Sequence, residues 1–167
     1  MELKIPFNKK NGFTYIELVL VLAVSAILLV STIVVYNPVE ARAKARDNRR
    51  INDLFVLERI VTEFHLDTGT YPDVPSALRT SNVAPSPSTI SLDNPQAGWI
   101  DHDLRNYTTV LPLDPLNDVT NHYAYIHDGE TYEINVRMER AVSEMANDGG
   151  DDENAYEIGT NLNLISP

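Results

Sequence analysis

The sequence predicts an α+β protein in which one very long N-terminal helix packs on a small antiparallel sheet of about three or four strands. Two observations lead to this fold class. Residues 13–66 have helical character, first uncharged and then amphipathic, whereas residues 111–167 contain short alternating runs joined by turn residues. The chain has 167 residues, which leaves room for one globular domain of about 150 residues and one extra segment.

Composition and charge exclude several classes of protein. The absence of cysteine removes disulfides, thiolate zinc sites and cysteine nucleophiles. The four histidines have no metal-ligand spacing, and no nucleophile or phosphate-binding motif is present, so we expect no enzymatic activity. The net charge of −11 argues against nucleic-acid binding through the globular part and suits calcium or a basic partner. Most of this charge lies in residues 61–167, which hold eighteen acids and four arginines.

The uncharged segment is long enough to cross a membrane. Residues 18–36 are 19 residues without charge, and a helix of that length spans about 28 Å, close to the hydrocarbon thickness of about 30 Å. Lys9 and Lys10 favour a cytoplasmic N-terminus, with the bulk of the protein outside. Glu17 is costly in lipid unless it is paired or protonated, and a signal peptide or simple anchor has no use for it.

The segment KKNGFTYIEL, residues 9–18, resembles the prepilin signal of bacterial type IV pilins and type II secretion pseudopilins. The resemblance implies that prepilin peptidase removes a leader of residues 1–12 by cleavage between Gly12 and Phe13, and that the new amine of Phe13 is methylated. It also implies that Glu17 pairs with the Phe13 amine of a neighbouring subunit in a filament. This pairing is physically reasonable, because a carboxylate in a dry helix bundle is tolerated when an opposite charge lies within a few ångströms.

An amphipathic half follows the uncharged half of the helix. Pro38 after Asn37 predicts a local interruption, because proline removes an amide donor and clashes with the preceding turn. We therefore divide the helix into a transmembrane or filament-core half, 13–36, and an amphipathic half, 37–66. The amphipathic half carries an apolar stripe that should pack on a sheet: Ile51, Leu54, Leu57, Val61 and Phe64. The charged residues between them are expected to form a solvated face.

The rest of the chain is predicted to be a long loop followed by a sheet. Residues 67–110 are rich in Pro, Ser and Asn and predict an irregular loop, in which Trp99 is expected to be a packing anchor. Residues 111–167 predict the antiparallel sheet and an acidic loop. Strands are expected at residues 122–127, 131–139 and 156–158, with a hairpin turn at Asp128-Gly129. In the second strand, alternation predicts that Glu133, Asn135 and Arg137 face outward.

The acidic loop is a candidate calcium site. Residues 147–154 contain four acids and two glycines, and calcium prefers six to eight hard oxygen ligands on a flexible loop. Spacing alone favours a solvated acidic turn, because the order of the acids does not fit the twelve-residue EF-hand loop. Major pseudopilins bind calcium in a late loop of this kind, so the resemblance implies calcium ligands here. The candidate ligands are Asp148, Asp151 and Asp152, with Asp114 or Asp118 from an earlier loop.

The predicted function is that of a structural subunit. The resemblance implies a pilin that is processed by prepilin peptidase and forms a homopolymer through its N-terminal helices, as in a type IV pilus (fimbrium) that could serve cell adhesion. The alternative is a major pseudopilin of a type II secretion or DNA-uptake filament, to which the GTYP segment at 69–72 is similar. Before assembly the subunit would be a single-pass protein of the cytoplasmic membrane that contacts an assembly platform, and afterwards part of an extracellular or periplasmic filament. An alternative from another class is a membrane-anchored calcium-binding extracellular module that never polymerises.

Overall fold

The structure is a computed structural model that describes residues 12–166, with the backbone alone for residues 33–36. The predicted leader therefore lies outside the described residues, apart from Gly12. The chain divides into two compact units, Met1–Ala41 and Arg42–Pro167, and each is described by itself.

The first unit contains an exposed apolar helix. Helix α1 runs over Tyr15–Tyr36 and begins at Thr14, which caps it. The stretch Tyr15–Thr32 is long and apolar enough to cross a membrane. The helix ends at Asn37, whose backbone is left-handed with φ 33° and ψ 76°, and Pro38 begins the next helix. The predicted interruption at this point is confirmed.

Helix α2, Pro38–Thr68, supplies one wall of the core of the second unit. Its apolar stripe is buried as predicted: Leu54, Leu57 and Val61 are 0% exposed, and Ile51 packs at the edge of the core. The helix stops before Gly69, whose φ of +75° is the left-handed conformation that commonly ends helices. Charged residues between the stripe positions are at least partly exposed, as expected, whereas Asp47 and Arg50, which precede the stripe, are buried in ion pairs.

The sheet has four antiparallel strands in the order β1-β2-β3-β4. Their bounds are Arg79–Thr80, Tyr123–His127, Tyr132–Val136 and Tyr156–Gly159. The predicted hairpin at Asp128-Gly129 joins β2 to β3, with Gly129 at φ +107°. A short helix, α3, Val142–Met145, lies between β3 and β4. The α+β class with a four-stranded sheet is therefore confirmed.

Strand β3 is buried on both faces, which the sequence did not predict. Ile134 and Val136 belong to the hydrophobic core, as expected for the inner face. Glu133 and Asn135, which were expected to face solvent, are 0% and 6% exposed. The segment after β4 covers them, since the backbone N–H groups of Leu164 and Ile165 donate to Glu133 Oε2 at 2.6 and 2.9 Å.

The long loop before β2 is fastened by Trp99. This side chain is 0% exposed, and its Nε1–H donates to the carbonyl oxygen of Pro112 at 3.0 Å. A buried indole with a satisfied N–H contributes a large apolar area and fixes the two loop segments to each other. The prediction that Trp99 is a packing anchor is confirmed.

Candidate functional site

The residues around the predicted processing point are exposed and precede the first helix. Gly12, Phe13 and Thr14 have non-helical backbone, and the Phe13 side chain is 89% exposed. Thr14 and Glu17 form a capping box: the Glu17 N–H donates to Thr14 Oγ1 at 3.3 Å, and the Thr14 N–H donates to Glu17 Oε2 at 2.8 Å. This arrangement satisfies amide donors that a helix start leaves open. It fixes where α1 begins, with Tyr15 as the first helical residue, two positions after Phe13.

Only one oxygen of the Glu17 carboxylate, Oε2, accepts hydrogen bonds in this cap. The Thr14 hydroxyl also donates to Glu17 Oε2, at 2.7 Å. Among the described residues, no donor reaches Glu17 Oε1. The side chain is therefore held in one orientation while one charged oxygen stays available to a further cation.

The surface of α1 is apolar and uncovered. None of the residues of Tyr15–Thr32 is buried, and the largest side chains are 41–82% exposed, among them Tyr15, Val19, Leu22, Ile27 and Leu29. Ser31 and Thr32 donate their hydroxyls to carbonyl oxygens one turn back, at 2.8 Å each, so they present no unsatisfied donor. Such a surface is stable only in lipid or against other apolar helices.

A second candidate site is a cluster of carboxylates on the covered face of the sheet. One oxygen each from Glu133, Asp151 and Glu157 lie within 4.8 Å of one another. Glu157 is 1% exposed; its Oε1 accepts from Asn135 Nδ2 at 3.0 Å, and its Oε2 accepts from the Asp152 N–H at 3.2 Å. Glu133 Oε1 is buried and accepts no hydrogen bond from the described residues.

The electrostatics of this carboxylate cluster are unfavourable for the protein alone. Burial, and then the neighbouring Glu133, raise the pKa of Glu157 to about 7. No Lys or Arg among the described residues forms an ion pair with either glutamate. Carboxylate and amide oxygens are the ligands that calcium prefers. The three carboxylates, with one buried oxygen that has no partner among the described residues, are therefore suitable ligands for a hard divalent cation.

The sequence-predicted metal ligands are found in different places. Asp151 lies in the carboxylate cluster. The Asp148 carboxylate accepts from the N–H groups of Gly150 and Glu157 at 2.9 and 2.8 Å, and Asp152 Oδ1 accepts from the Asn154 N–H at 2.8 Å. These two aspartates shape the acidic loop around the cluster.

The earlier loop does not supply a free carboxylate. Asp114 is buried and accepts from Arg50 Nε at 2.5 Å, while Asp118 Oδ1 accepts from the N–H groups of Thr120 and Asn121 at 2.9 and 2.7 Å. Sequence reasoning missed Glu133 and Glu157. Alternation in β3 and around Tyr156-Glu157-Ile158 places both on one face, so the register of these strands was the signal that could have found them.

Comparison with known proteins identifies relatives of one kind. The chain is 26% identical over 123 residues to the type II secretion system core protein G of Escherichia coli (strain K12). The aligned region covers 74% of this chain and 76% of the relative. It is 27% identical over 129 residues to core protein G of Vibrio cholerae (77% and 79%) and 28% identical over 108 residues to that of Klebsiella pneumoniae (65% and 70%). These relatives, at 26–28% identity over most of the chain, are consistent with the type IV pilin and pseudopilin family. No family model matches the chain, and no solved structure matches it significantly.

A buried ion-pair network fastens α2 to two later loops. The Arg50 guanidinium, 0% exposed, donates to Asp114 Oδ2 at 2.5 Å, to Asp47 Oδ1 at 2.8 Å and to Glu139 Oε1 at 2.8 Å. Arg46 donates to both oxygens of Glu139, at 2.7 and 2.6 Å. Asp47 also accepts from three consecutive backbone N–H groups, those of residues 139–141, at 2.7–3.1 Å. Each charged group in the network has at least one oppositely charged partner, and backbone N–H groups donate further to Asp47, so the network has a structural role.

Proposed function

We propose that this protein is a major pseudopilin, a structural subunit that polymerises into the pilus-like filament of a type II secretion system. The observation that carries the proposal is helix α1, whose apolar surface is uncovered and whose single carboxylate keeps one oxygen free of donors among the residues that the structure describes. The relatives described above support the pseudopilin over the surface pilin. They are named as core proteins of a secretion system, which agrees with a structural role and not a catalytic one.

Processing comes first in this proposal. The chain enters the cytoplasmic membrane with Lys9 and Lys10 on the cytoplasmic side. Prepilin peptidase then hydrolyses the peptide bond between Gly12 and Phe13, which leaves a positively charged amine on Phe13 that is subsequently methylated. The exposed, non-helical backbone at this point supports access by a peptidase. The product keeps the capping box, because Thr14 and Glu17 both follow the cleaved bond.

Assembly then exchanges lipid for neighbouring helices. The Phe13 amine of one subunit pairs with Glu17 of the next, and Thr14 presents the Glu17 carboxylate by holding Oε2 while Oε1 faces the incoming amine. Opposite charges in a low-dielectric environment attract strongly, and an unpaired one is costly, so the pair selects one stagger between subunits. The assembly platform in the cytoplasmic membrane receives the subunit, and the finished filament lies in the periplasm.

The substitution Glu17→Gln tests this mechanism in whole cells. Glutamine keeps an acceptor for Thr14 and removes the charge, so we expect normal membrane insertion and a strong loss of filaments in electron micrographs. Glu40→Gln is the matched control, because Glu40 is an exposed carboxylate in the first turn of α2 and its loss should leave assembly unchanged. Normal filaments from Glu17→Gln would contradict the pairing.

Mass spectrometry of the mature N-terminus separates the alternatives. A methylated Phe13 found in the membrane and periplasmic fraction is the result we expect. The same peptide in fibres sheared from the cell surface at native expression would instead indicate a type IV pilus. Retention of residues 1–12 would favour the anchored module that does not polymerise.

We also propose that Glu133, Asp151 and Glu157 hold a calcium ion. The supporting observation is the buried, unpartnered Glu133 Oε1 beside two other carboxylates. A bound cation would neutralise the cluster and tie the acidic loop to β3 and β4. The ligand set differs from the one predicted from the sequence, since only Asp151 is common to both.

Calcium binding is tested with the full-length protein in detergent micelles. At a calcium concentration of 100 times Kd, binding adds about 2.7 kcal/mol of stability, which corresponds to a rise in Tm of roughly 5–10 °C. We expect this rise to be absent in Glu133→Gln and retained in Asp103→Asn, an exposed carboxylate outside the cluster. An unchanged Tm of the unmodified protein between EGTA and calcium would contradict the proposal.

A further inference from the structure

An open cavity lies where the chain leaves strand β3. It has a volume of about 460 Å³ and is lined by Thr120, Asn121, Arg137, Met138, Glu139 and Arg140. The hairpin that joins β2 to β3 lies at the other end of the same strand, because β3 runs from Tyr132 beside the hairpin to Val136 beside the cavity. The cavity and the hairpin are therefore at opposite ends of the sheet.

The cavity carries uncompensated positive charge. Of the four arginines in residues 61–167, Arg79 pairs with Asp73 and Arg105 pairs with Asp103. Arg137 and Arg140 are both exposed and form no ion pair with any residue that the structure describes.

The acid in the cavity wall does not neutralise these arginines. The carboxylate of Glu139 is engaged by Arg46 and Arg50 of helix α2, through three hydrogen bonds of 2.6–2.8 Å. The two free guanidiniums therefore share one cavity in a part of the chain that is otherwise strongly acidic. Guanidinium groups in such a position recognise carboxylates or phosphates through paired hydrogen bonds.

Apolar side chains beside the cavity favour a protein partner over a dissolved anion. Val119, next to Thr120, is 87% exposed, and Val142, two residues beyond Arg140, is 59% exposed. A small anion would leave both valines in water. Apolar residues combined with arginine are typical of protein interfaces.

The hairpin at the opposite end of the sheet has complementary charge. Asp128 and Glu130 are exposed on either side of Gly129. Asp128 accepts from the N–H groups of Glu130 and Thr131 at 2.9 and 2.7 Å, which makes the turn rigid, while the Glu130 side chain has no hydrogen bond or ion pair among the described residues. Complementary patches at opposite ends of one unit produce head-to-tail contacts that repeat from copy to copy.

We infer that the arginine cavity of one subunit docks the Asp128–Glu130 hairpin of the next copy of this chain. The inference rests on the proposed filament and adds a contact between globular domains to the contact between N-terminal helices. Glu130 enters between Arg137 and Arg140, and the two valines pack against the neighbouring surface. The charges then set the orientation of the globular domains along the filament.

Photo-crosslinking in assembled filaments tests the contact. The photoreactive residue p-benzoylphenylalanine is placed at Thr120 of the full-length protein, so that both arginines stay in the cavity wall. On illumination we expect a covalent dimer in which the residue at 120 is joined to the peptide that contains residues 128–130. Arg140→Glu should reduce this dimer about tenfold, because like charges then face each other. Arg105→Glu, at an exposed arginine outside the cavity, should leave it unchanged.

A charge exchange gives an independent test. Glu130→Arg alone should weaken the dimer as Arg140→Glu does, and the double variant should restore it, because every copy then carries the exchanged pair. A dimer joined through another peptide, a crosslink only within one chain, or no rescue in the double variant would overturn the inference.

The failure of this contact can be distinguished from the failure of the filament proposal. A second crosslinker at Leu28 on α1 reports helix packing. Dimers from position 28 without dimers from position 120 would overturn the hairpin contact and leave the filament standing. The absence of dimers from both positions, together with the absence of filaments, would overturn both.

Discussion

The substitution Arg50→Met removes the centre of the buried ion-pair network of α2. Methionine fills much of the space of the arginine stem but donates no hydrogen bond. Asp47 and Asp114, which are 2% and 4% exposed, then lose the cation that faces them at 2.8 and 2.5 Å. Glu139 keeps its second partner, Arg46. The substitution therefore leaves two buried carboxylates without their counter-charge.

The expected loss of stability follows from this geometry. Removal of one partner from a buried ion pair costs about 3–5 kcal/mol. Backbone N–H groups still donate to both aspartates, three to Asp47 and two to Asp114, so we expect the lower part of this range, about 3–4 kcal/mol. Domains are stable by only about 5–15 kcal/mol. The variant should therefore fold, with a Tm lower by roughly 10 °C.

Guanidinium unfolding of the full-length protein in detergent micelles measures this loss. Trp99 is the single tryptophan and is 0% exposed, so its fluorescence reports the unfolding of the second unit. The matched control is Arg105→Met, which breaks the ion pair between Arg105 and Asp103. Their side chains are 58% and 50% exposed, so the free energy of unfolding should fall by only about 0–1 kcal/mol. A loss in Arg50→Met no larger than in this control would refute the reasoning.

Three further predictions concern the helix, the sheet and acid stability. Leu57→Ala should lower the free energy of unfolding by about 2–5 kcal/mol, measured by the same assay. The adjacent Val56→Ala should lower it much less, because Val56 is 36% exposed and Leu57 is 0% exposed. Gly159→Ala should lower Tm, since an added Cβ would overlap the backbone of β3 and the residue has φ +153°. Hydrogen bonds, first from Arg46, lower the pKa of Glu139 from 4.5 to about 2. Ionised Glu139 therefore contributes stability that is fully present above about pH 4.5 and is lost as pH falls toward 2; Glu139→Gln should flatten the fall in unfolding free energy over this interval.

Helices α1 and α2 and three of the four strands could be predicted because each follows a local pattern, whereas the four-residue helix α3 was not predicted. The apolar stripe of α2 has the 3.6-residue period, and β2 and β3 flank a Gly-containing hairpin turn. Strand β1 has only two residues, Arg79 and Thr80, which is too short for any period. This strand forms because it pairs with β2, about 45 residues later in the chain, with Arg79 opposite Tyr125.

The buried charges of α2 could have been recognised from the same period. The buried positions Leu57, Leu54, Arg50, Asp47 and Ala43 continue one stripe toward the N-terminus at alternating intervals of three and four residues. Charged residues on an apolar stripe indicate buried pairing. The partner in the loop, Asp114, lies 64 residues away along the chain, and no local pattern specifies a contact over that distance.

The carboxylate cluster could not be predicted from the sequence either, because it also depends on contacts between distant parts of the chain. The acidic loop was visible, but the alternation in β3 indicated only which side chains share a face, not whether that face is covered. The covering segment is the chain after β4, which reaches Glu133 through backbone N–H groups of residues 164 and 165. Backbone donors leave no trace in residue types, so burial of Glu133 required the structure.

The distribution of paired and unpaired charges distinguishes the structural ion-pair network from the three sites that we propose to be functional. Arg50 is buried more deeply than any other cation described, yet it forms ion pairs with Asp47, Asp114 and Glu139, so its charge is satisfied within the chain. Glu17 in the apolar helix, Glu133 in the carboxylate cluster, and Arg140 in the cavity each have an unused hydrogen-bonding or charged group among the described residues. For Glu17 and Glu133, folding alone gives no reason to keep the group, because an unpaired charge in an apolar or buried position costs stability; the exposed Arg140 is singled out by its place in the cavity. Each site would be satisfied by a group from outside the single chain. The amine of a neighbouring subunit would pair with Glu17, a metal cation would bind Glu133, and a carboxylate of another copy would pair with Arg140.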